Sequence, residues 1–159
     1  MYRIGLGYDI HRLDYDRDLI IGGIKIPHEK GLVGHSDADV LIHAIIDGMF
    51  GALALGDIGT HFPDTDEAYK NISSVILLKH ANQLIHNEGY VINNIDCNII
   101  AQEPKMKPHI QKMREELAKI LMIDVNLISI KAKTNEKMDA VGEKLAIETN
   151  AVVMLRKDN

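Results

Sequence analysis

Asp9 and His11 stand two residues apart in a β-prone segment, so in a strand their side chains leave on the same face. A carboxylate and an imidazole placed that way can share a divalent cation. The alternative is an exposed turn, where an Asp-x-His triplet is common. His43 lies in a predicted helix with Asp39 and Asp47 four residues to either side, one polar stripe on an otherwise apolar element. A solvated helix face is the alternative there. If His43 joins Asp9 and His11, the set is two imidazoles and one carboxylate. Three protein ligands leave one position open, the arrangement of a catalytic rather than a structural zinc. Asp47, or equally Asp39, could orient His43 from behind. Cys97 is the single cysteine and sits inside an apolar run, whereas there are eight histidines. Thiolate zinc sites and internal disulfides are therefore excluded, and metal chemistry must use imidazole and carboxylate.

Three other stretches carry polar groups in suggestive places. His35-Ser36 precedes the helix of His43, and helix amino ends favour phosphate. Gly56-Asp57-Ile58-Gly59 and Phe62-Pro63-Asp64-Thr65-Asp66 are glycine- and acid-containing loops whose carboxylates could accept from polyol hydroxyls, or serve only as turn chemistry. In Lys131-Ala132-Lys133-Thr134-Asn135-Glu136-Lys137, Thr134 could bind phosphate and Glu136 could hold a hard cation; an exposed strand end is the alternative. There is no GxxxxGK[ST], no usable GxGxxG and no Ser/His/Asp constellation.

These residues need a scaffold. Tyr2 to His11 reads as a strand with Gly5 and Gly7 inside it, and Leu19 to Ile26 as a second strand ended by Pro27. Ser36-Asp37-Ala38-Asp39 is a helix start, with Ser36 able to cap, and the helix runs to about Leu53. A polar loop from Gly56 to Tyr69 leads to a helix opened by Asn71-Ile72-Ser73 and stopped near Gly89. Tyr90 to Ala101 is a strand, His109 to Met122 a third helix, and Leu127 to Ala132 and Ala146 to Leu155 are strands. Arg156 to Asn159 reads as a polar tail. The order β-β-α-α-β-α-β-β predicts an α/β (α+β) fold, with three helices on one face of a four- or five-stranded mixed sheet. Apolar residues on both sheet faces predict a partner subunit over the other face.

The chain has 159 residues, 46% hydrophobic and 26% charged, the proportions of one globular domain spanning 1–159. A net charge of −5 argues against nucleic-acid binding, which needs a basic surface. No segment reaches the roughly 18 apolar residues of a membrane span, and the start lacks the apolar core of a signal peptide. A cytoplasmic protein with no membrane partner is the expectation.

Taken together, Gly7-Tyr8-Asp9-Ile10-His11, His35 through Ala44, Gly56 through Gly59, Phe62 through Asp66, Ile99 through Met106 and Lys131 through Lys137 closely resemble the 2-C-methyl-D-erythritol 2,4-cyclodiphosphate synthase family of the non-mevalonate isoprenoid pathway. The resemblance runs from Arg3 to about Lys137. It implies a metal-dependent phosphorus–oxygen lyase that cyclises 4-diphosphocytidyl-2-C-methyl-D-erythritol 2-phosphate and releases CMP. It implies a homotrimer with sites between subunits. By motif, Asp9, His11 and His43 would bind Zn²⁺, and Glu136 a second divalent ion, Mg²⁺ or Mn²⁺. His35 and Thr134 would hold and stabilise the reacting diphosphate, with Ser36 and Lys133 beside them. Asp57, Ile58 and Gly59 would grip the erythritol, Phe62, Asp64 and Asp66 would line the adjoining loop, and Ala101, Pro104, Lys105 and Met106 would form the cytosine pocket. The resemblance fails over Met138 to Ile147, where Ala140 replaces the family's usual aromatic and Glu143 its usual arginine. Water attack at the same metals, giving a linear phosphate, and a catalytically silent nucleotide-binding trimer are the competing expectations.

Overall fold

The first strand decides how the layers meet, because its small and large residues alternate. The computed structural model describes residues 1–158. In chain order the elements are β1 (Tyr2–Asp14), β2 (Leu19–Ile21), β3 (Ile24–Ile26), β4 (Gly31–Leu32), α1 (Val40–Ala52), α2 (Ile58–His61), α3 (Ser74–Asn87), β5 (Tyr90–Ile100), α4 (Ile110–Leu121), β6 (Ile128–Lys133), α5 (Asp139–Gly142) and β7 (Ala146–Lys157). On one face of β1, Gly5 and Gly7 lie against α1 so closely that a Cβ at Gly7 would fall 1.7 Å from the Ala44 carbonyl oxygen. On the other face Tyr2, Ile4, Leu6, Tyr8 and Ile10 are exposed, Leu6 at 69%. Glycine thus lets strand and helix backbones touch, as the strand glycines suggested.

The main sheet has the order β4-β1-β7-β5-β6, parallel only between β5 and β6. The α/β expectation of a five-stranded mixed sheet is met. Helix α1 crosses β1 and β7, while α3 packs on β5 and α4 on β6, all on the face opposite the exposed apolar row. Val40, Leu41, Ile42, Ala44, Ile45, Ile46, Met49 and Phe50 are all buried, which accounts for the nearly unbroken apolar sequence of α1. Helix α4 is amphipathic instead, burying Met113, Leu117, Ala118, Ile120 and Leu121.

Several expectations need correction. Leu19–Ile26 is not one strand but the hairpin β2–β3, a separate two-stranded sheet, because Gly22 and Gly23 both take positive φ (63° and 76°). Two consecutive left-handed residues make the turn whose twist suits a tight hairpin. The helix start is shifted: Asp39, not Ser36, caps α1, accepting from the Ile42 N–H. The loop after α1 contains the short helix α2, capped by Asp57, and a 3-10 turn at Glu67–Tyr69, capped by Asp66. The supposed tail is partly strand, since Arg156 pairs with Tyr2 and Lys157 with Tyr90 in β7. The divergent 138–147 segment folds as α5 and the start of β7.

Candidate active site

Three side chains meet where β1 passes α1. Asp9 Oδ2 lies 2.8 Å from His11 Nε2 and 3.0 Å from His43 Nδ1, and the two ring nitrogens are 3.2 Å apart. Donors bound tetrahedrally at about 2.0–2.1 Å from zinc stand roughly 3.3 Å from one another, so this triangle fits a small divalent cation. The far nitrogens of both rings are already engaged. His11 Nδ1 donates to the Val33 carbonyl at 2.8 Å. His43 Nε2 meets Ser74 Oγ at 2.9 Å and Ser36 Oγ at 3.1 Å. With a metal bound, the nitrogens facing Asp9 would thereby be left to offer it their lone pairs, the usual arrangement behind a metal-binding imidazole. Asp9, His11 and His43 are all partly buried, with their ligand atoms within 4.8 Å of each other.

Charge follows the geometry. Desolvation would raise the Asp9 carboxyl, yet hydrogen bonds from His11 and His43 hold it below the usual carboxylate range. Desolvation would likewise lower His11, but its bonds to Asp9 and to the Val33 carbonyl hold it above the usual imidazole value.

The triangle opens into a cavity of about 430 Å³ that also includes Gly34, His35, Ser36, Asp47, Ile58, Gly59, Phe62, Asp64, Tyr69 and Leu77. Of the residues that the resemblance assigns to substrate, His35, Ser36, Ile58, Gly59, Phe62 and Asp64 lie in this lining with the triangle. His35 Nε2 donates to the Asp66 carbonyl at 3.2 Å, which sets the ring at the mouth of the cavity. Phe62 forms a wall, packed edge-on to Tyr69 and His80. Asp57 is not in the lining: its carboxylate accepts from the Thr60 N–H and hydroxyl. The Asp66 carboxylate is similarly occupied by the Ala68 N–H.

Two roles expected behind His43 are corrected. Asp39 does not reach it; the carboxylate is fully buried and accepts from the Gly22, Gly23 and Ile42 N–H groups at 2.9, 2.7 and 3.0 Å. It fastens the hairpin tip to α1. Asp47 instead accepts from the Ile58 N–H at 2.7 Å and so fixes the α2 loop over the cavity. The groups behind His43 are Ser36, Ser74 and, through Ser74, Asp37, a contact spanning 37 residues that the sequence does not display.

The remaining site residues gather elsewhere. Ala101, Lys105, Met106, Lys133 and Thr134 line a second, smaller cleft of about 140 Å³. Pro104 follows Glu103 through a cis peptide bond in the same loop. Glu136 is exposed, its carboxylate 3.5 Å from the Thr134 hydroxyl. The register sets Asp9 level with Thr149, Thr149 with Ile99 and Ile99 with Ala132. Three strand spacings, about 14 Å, therefore separate the metal triangle from the β6 end that leads to Thr134. Within one chain the two groups do not form one site. His61 packs on Phe50 and His80 on Phe62. No helix of the described residues is long and apolar enough to cross a membrane.

A sequence model of the YgbB family matches residues 2–156. A protein of Clostridium botulinum (strain Kyoto / Type A2) named 2-C-methyl-D-erythritol 2,4-cyclodiphosphate synthase is 58% identical over 153 residues, covering 96% of this chain and 99% of its own length. One of the same name from Clostridioides difficile (strain 630) is 58% identical, covering 96% and 95%. The solved structure of IspF from Plasmodium falciparum in its CDP complex superposes with a TM-score of 0.87 at 40% identity, covering 99% of this chain and 97% of that one.

Proposed function

This chain belongs to the YgbB family, and on that premise we propose that it cyclises 4-diphosphocytidyl-2-C-methyl-D-erythritol 2-phosphate to 2-C-methyl-D-erythritol 2,4-cyclodiphosphate, releasing CMP. An oxygen of the 2-phosphate bonds to the β-phosphorus while the bond from that phosphorus to the CMP oxygen breaks, its electron pair leaving with CMP. The reaction is that of a phosphorus–oxygen lyase in isoprenoid precursor synthesis, in the cytoplasm. The observation that carries this reading is the triangle of Asp9, His11 and His43 at the floor of a cavity lined by His35, Ser36 and Phe62.

Asp9, His11 and His43 would hold Zn²⁺, which when bound supplies Lewis-acid neutralisation of the diphosphate oxygens. Asp9, Asp47 and Asp64 line the cavity, so a polyanion enters only with cations to offset them. Glu136 would hold a second ion, Mg²⁺ or Mn²⁺. His35 and Thr134 would each donate to the phosphates, and the cavity walls would hold the substrate bent, so that attack is effectively intramolecular. The nucleophile needs no general base, because a phosphate monoester is already largely ionised near pH 7.

The separation of the two clefts favours a homotrimer in which the metal cavity of one subunit faces the Ala101–Met106 and Lys133–Thr134 cleft of the next. The exposed row of Tyr2, Ile4, Leu6, Tyr8 and Ile10 is the apolar surface such an assembly would bury. In the test, metal-loaded protein releases CMP from authentic substrate, while His43→Ala lacks tightly bound zinc and releases none. Unchanged zinc in that variant would remove His43 from the ligand set; CMP bound but never released would remove the enzymatic reading.

A further inference from the structure

Ser74 is the first residue of α3, is completely buried, and belongs to no loop of the cavity. Its hydroxyl has two neighbours, His43 Nε2 at 2.9 Å and the Asp37 carboxylate, which it approaches closely. Asp37 is acceptor-only when ionised, so the hydroxyl proton points to it. The lone pairs of Ser74 Oγ then face His43, and the ring must donate from Nε2. In the metal-bound site this leaves Nδ1 unprotonated, its lone pair free for the ion that Asp9 and His11 would share. The carboxylate cannot easily turn away, because it also accepts from the Ser74 N–H at 3.0 Å and the Asp39 N–H at 3.2 Å. The Ser36 hydroxyl, 3.1 Å from the same ring nitrogen, accepts from the Ala38 N–H at 3.2 Å and keeps a second lone pair that can share the ring's N–H.

We infer that Asp37 and Ser74 are positioning residues for the metal ligand His43: a carboxylate–hydroxyl–imidazole relay that fixes the ring's tautomer and orientation. The relay rests on the reading of Asp9, His11 and His43 as a metal site. It ties the α3 start and the 35–39 loop to that site, and it places partial negative charge behind the ring, which strengthens Nδ1 as a donor. Loss of such partners typically weakens metal binding by about 10–100-fold.

Zinc affinity is measured by chelator competition on the full chain for the parent, Ser74→Ala and Asp37→Asn. Three further readouts accompany it: the rise in Tm on adding zinc, the visible spectrum of the cobalt form, and the exchange-protected Nε2–H signal of His43 in the zinc form. A merely structural role lowers the metal-free Tm but leaves zinc affinity and the cobalt spectrum unchanged. The relay predicts zinc binding 10–100-fold weaker in Ser74→Ala and a smaller loss in Asp37→Asn, whose amide oxygen still accepts from the hydroxyl. It also predicts a protected Nε2–H in the parent, a measurement that stands even if a variant does not fold. Zinc bound by Ser74→Ala within twofold of the parent, or a freely exchanging Nε2–H in the parent, would overturn the relay. A parent that binds no zinc would overturn both the relay and the metal site beneath it.

Discussion

Replacing Gly7 with alanine tests whether contact between β1 and α1 builds the metal site. The added Cβ would stand 1.7 Å from the Ala44 carbonyl oxygen, 2.7 Å from its carbon and 2.9 Å from the Gly48 nitrogen, all backbone atoms. Real Cβ atoms essentially never come closer than 3.0 Å, so strand and helix must part by at least about 1.3 Å. Asp9 and His11 ride on the strand and His43 on the helix. A displacement of that size would stretch the 3.0 Å Asp9–His43 separation to about 4.3 Å. Two donors at about 2.1 Å from one ion cannot lie more than about 4.2 Å apart, even on opposite sides of it. Gly7→Ala should therefore lose zinc affinity by at least a hundredfold, and about 2–4 kcal/mol of stability through overpacking. Chelator competition and urea unfolding measure the two effects. Gly51→Ala is the control: it sits in the same helix with nothing nearer than 3.9 Å, and should stabilise by about 0.5–1 kcal/mol. If Gly7→Ala bound zinc like the parent and unfolded within 0.5 kcal/mol of it, β1–α1 contact would not be what sets the site.

Other consequences are open to simpler assays. Leu6→Asp places a charge in the exposed apolar row and should dissociate the proposed trimer while leaving the subunit folded, as read by sedimentation and far-ultraviolet dichroism. Cys97 is 1% exposed and burial pushes its thiol up to about 12, so a disulfide reagent at pH 8 should react only after denaturant is added. In the metal-free protein His11 is held above its usual value, so its contribution to stability is full below about pH 6.5 and lost as pH rises through the folded-state value. Asp9 is held below its usual value, so its contribution is full above about pH 4 and lost as pH falls further. For this pair, metal-free stability should peak between those limits, and the advantage of the lower half should vanish in His11→Ala.

What the sequence displayed depended on spacing. Asp9 and His11 were legible because strand parity alone puts them on one face, whereas His43 joined them only through the family resemblance. The Leu19–Ile26 run misled because its apolar residues continue across the Gly22-Gly23 turn, so periodicity masked the hairpin. Asp39 and Asp47 have the right helical spacing to flank His43, but each carboxylate is claimed by backbone N–H groups of another segment. The Ser74–Asp37 partnership was invisible for a related reason: a serine and an aspartate near helix starts ordinarily read as caps. The division of the site into two clefts could not be read from a motif list, because order along the chain says nothing about which strands lie between.

An intramolecular cyclisation leaves a product that phosphorus NMR of the reaction mixture separates from that of hydrolysis. Metal-loaded protein and authentic substrate should give CMP together with two mutually coupled phosphorus signals of a cyclic diphosphate, and no growing signal from a linear phosphate. Linear phosphate with CMP would mean that water, not the substrate's own 2-phosphate, attacks in this cavity, and that the protein is a hydrolase rather than a cyclase.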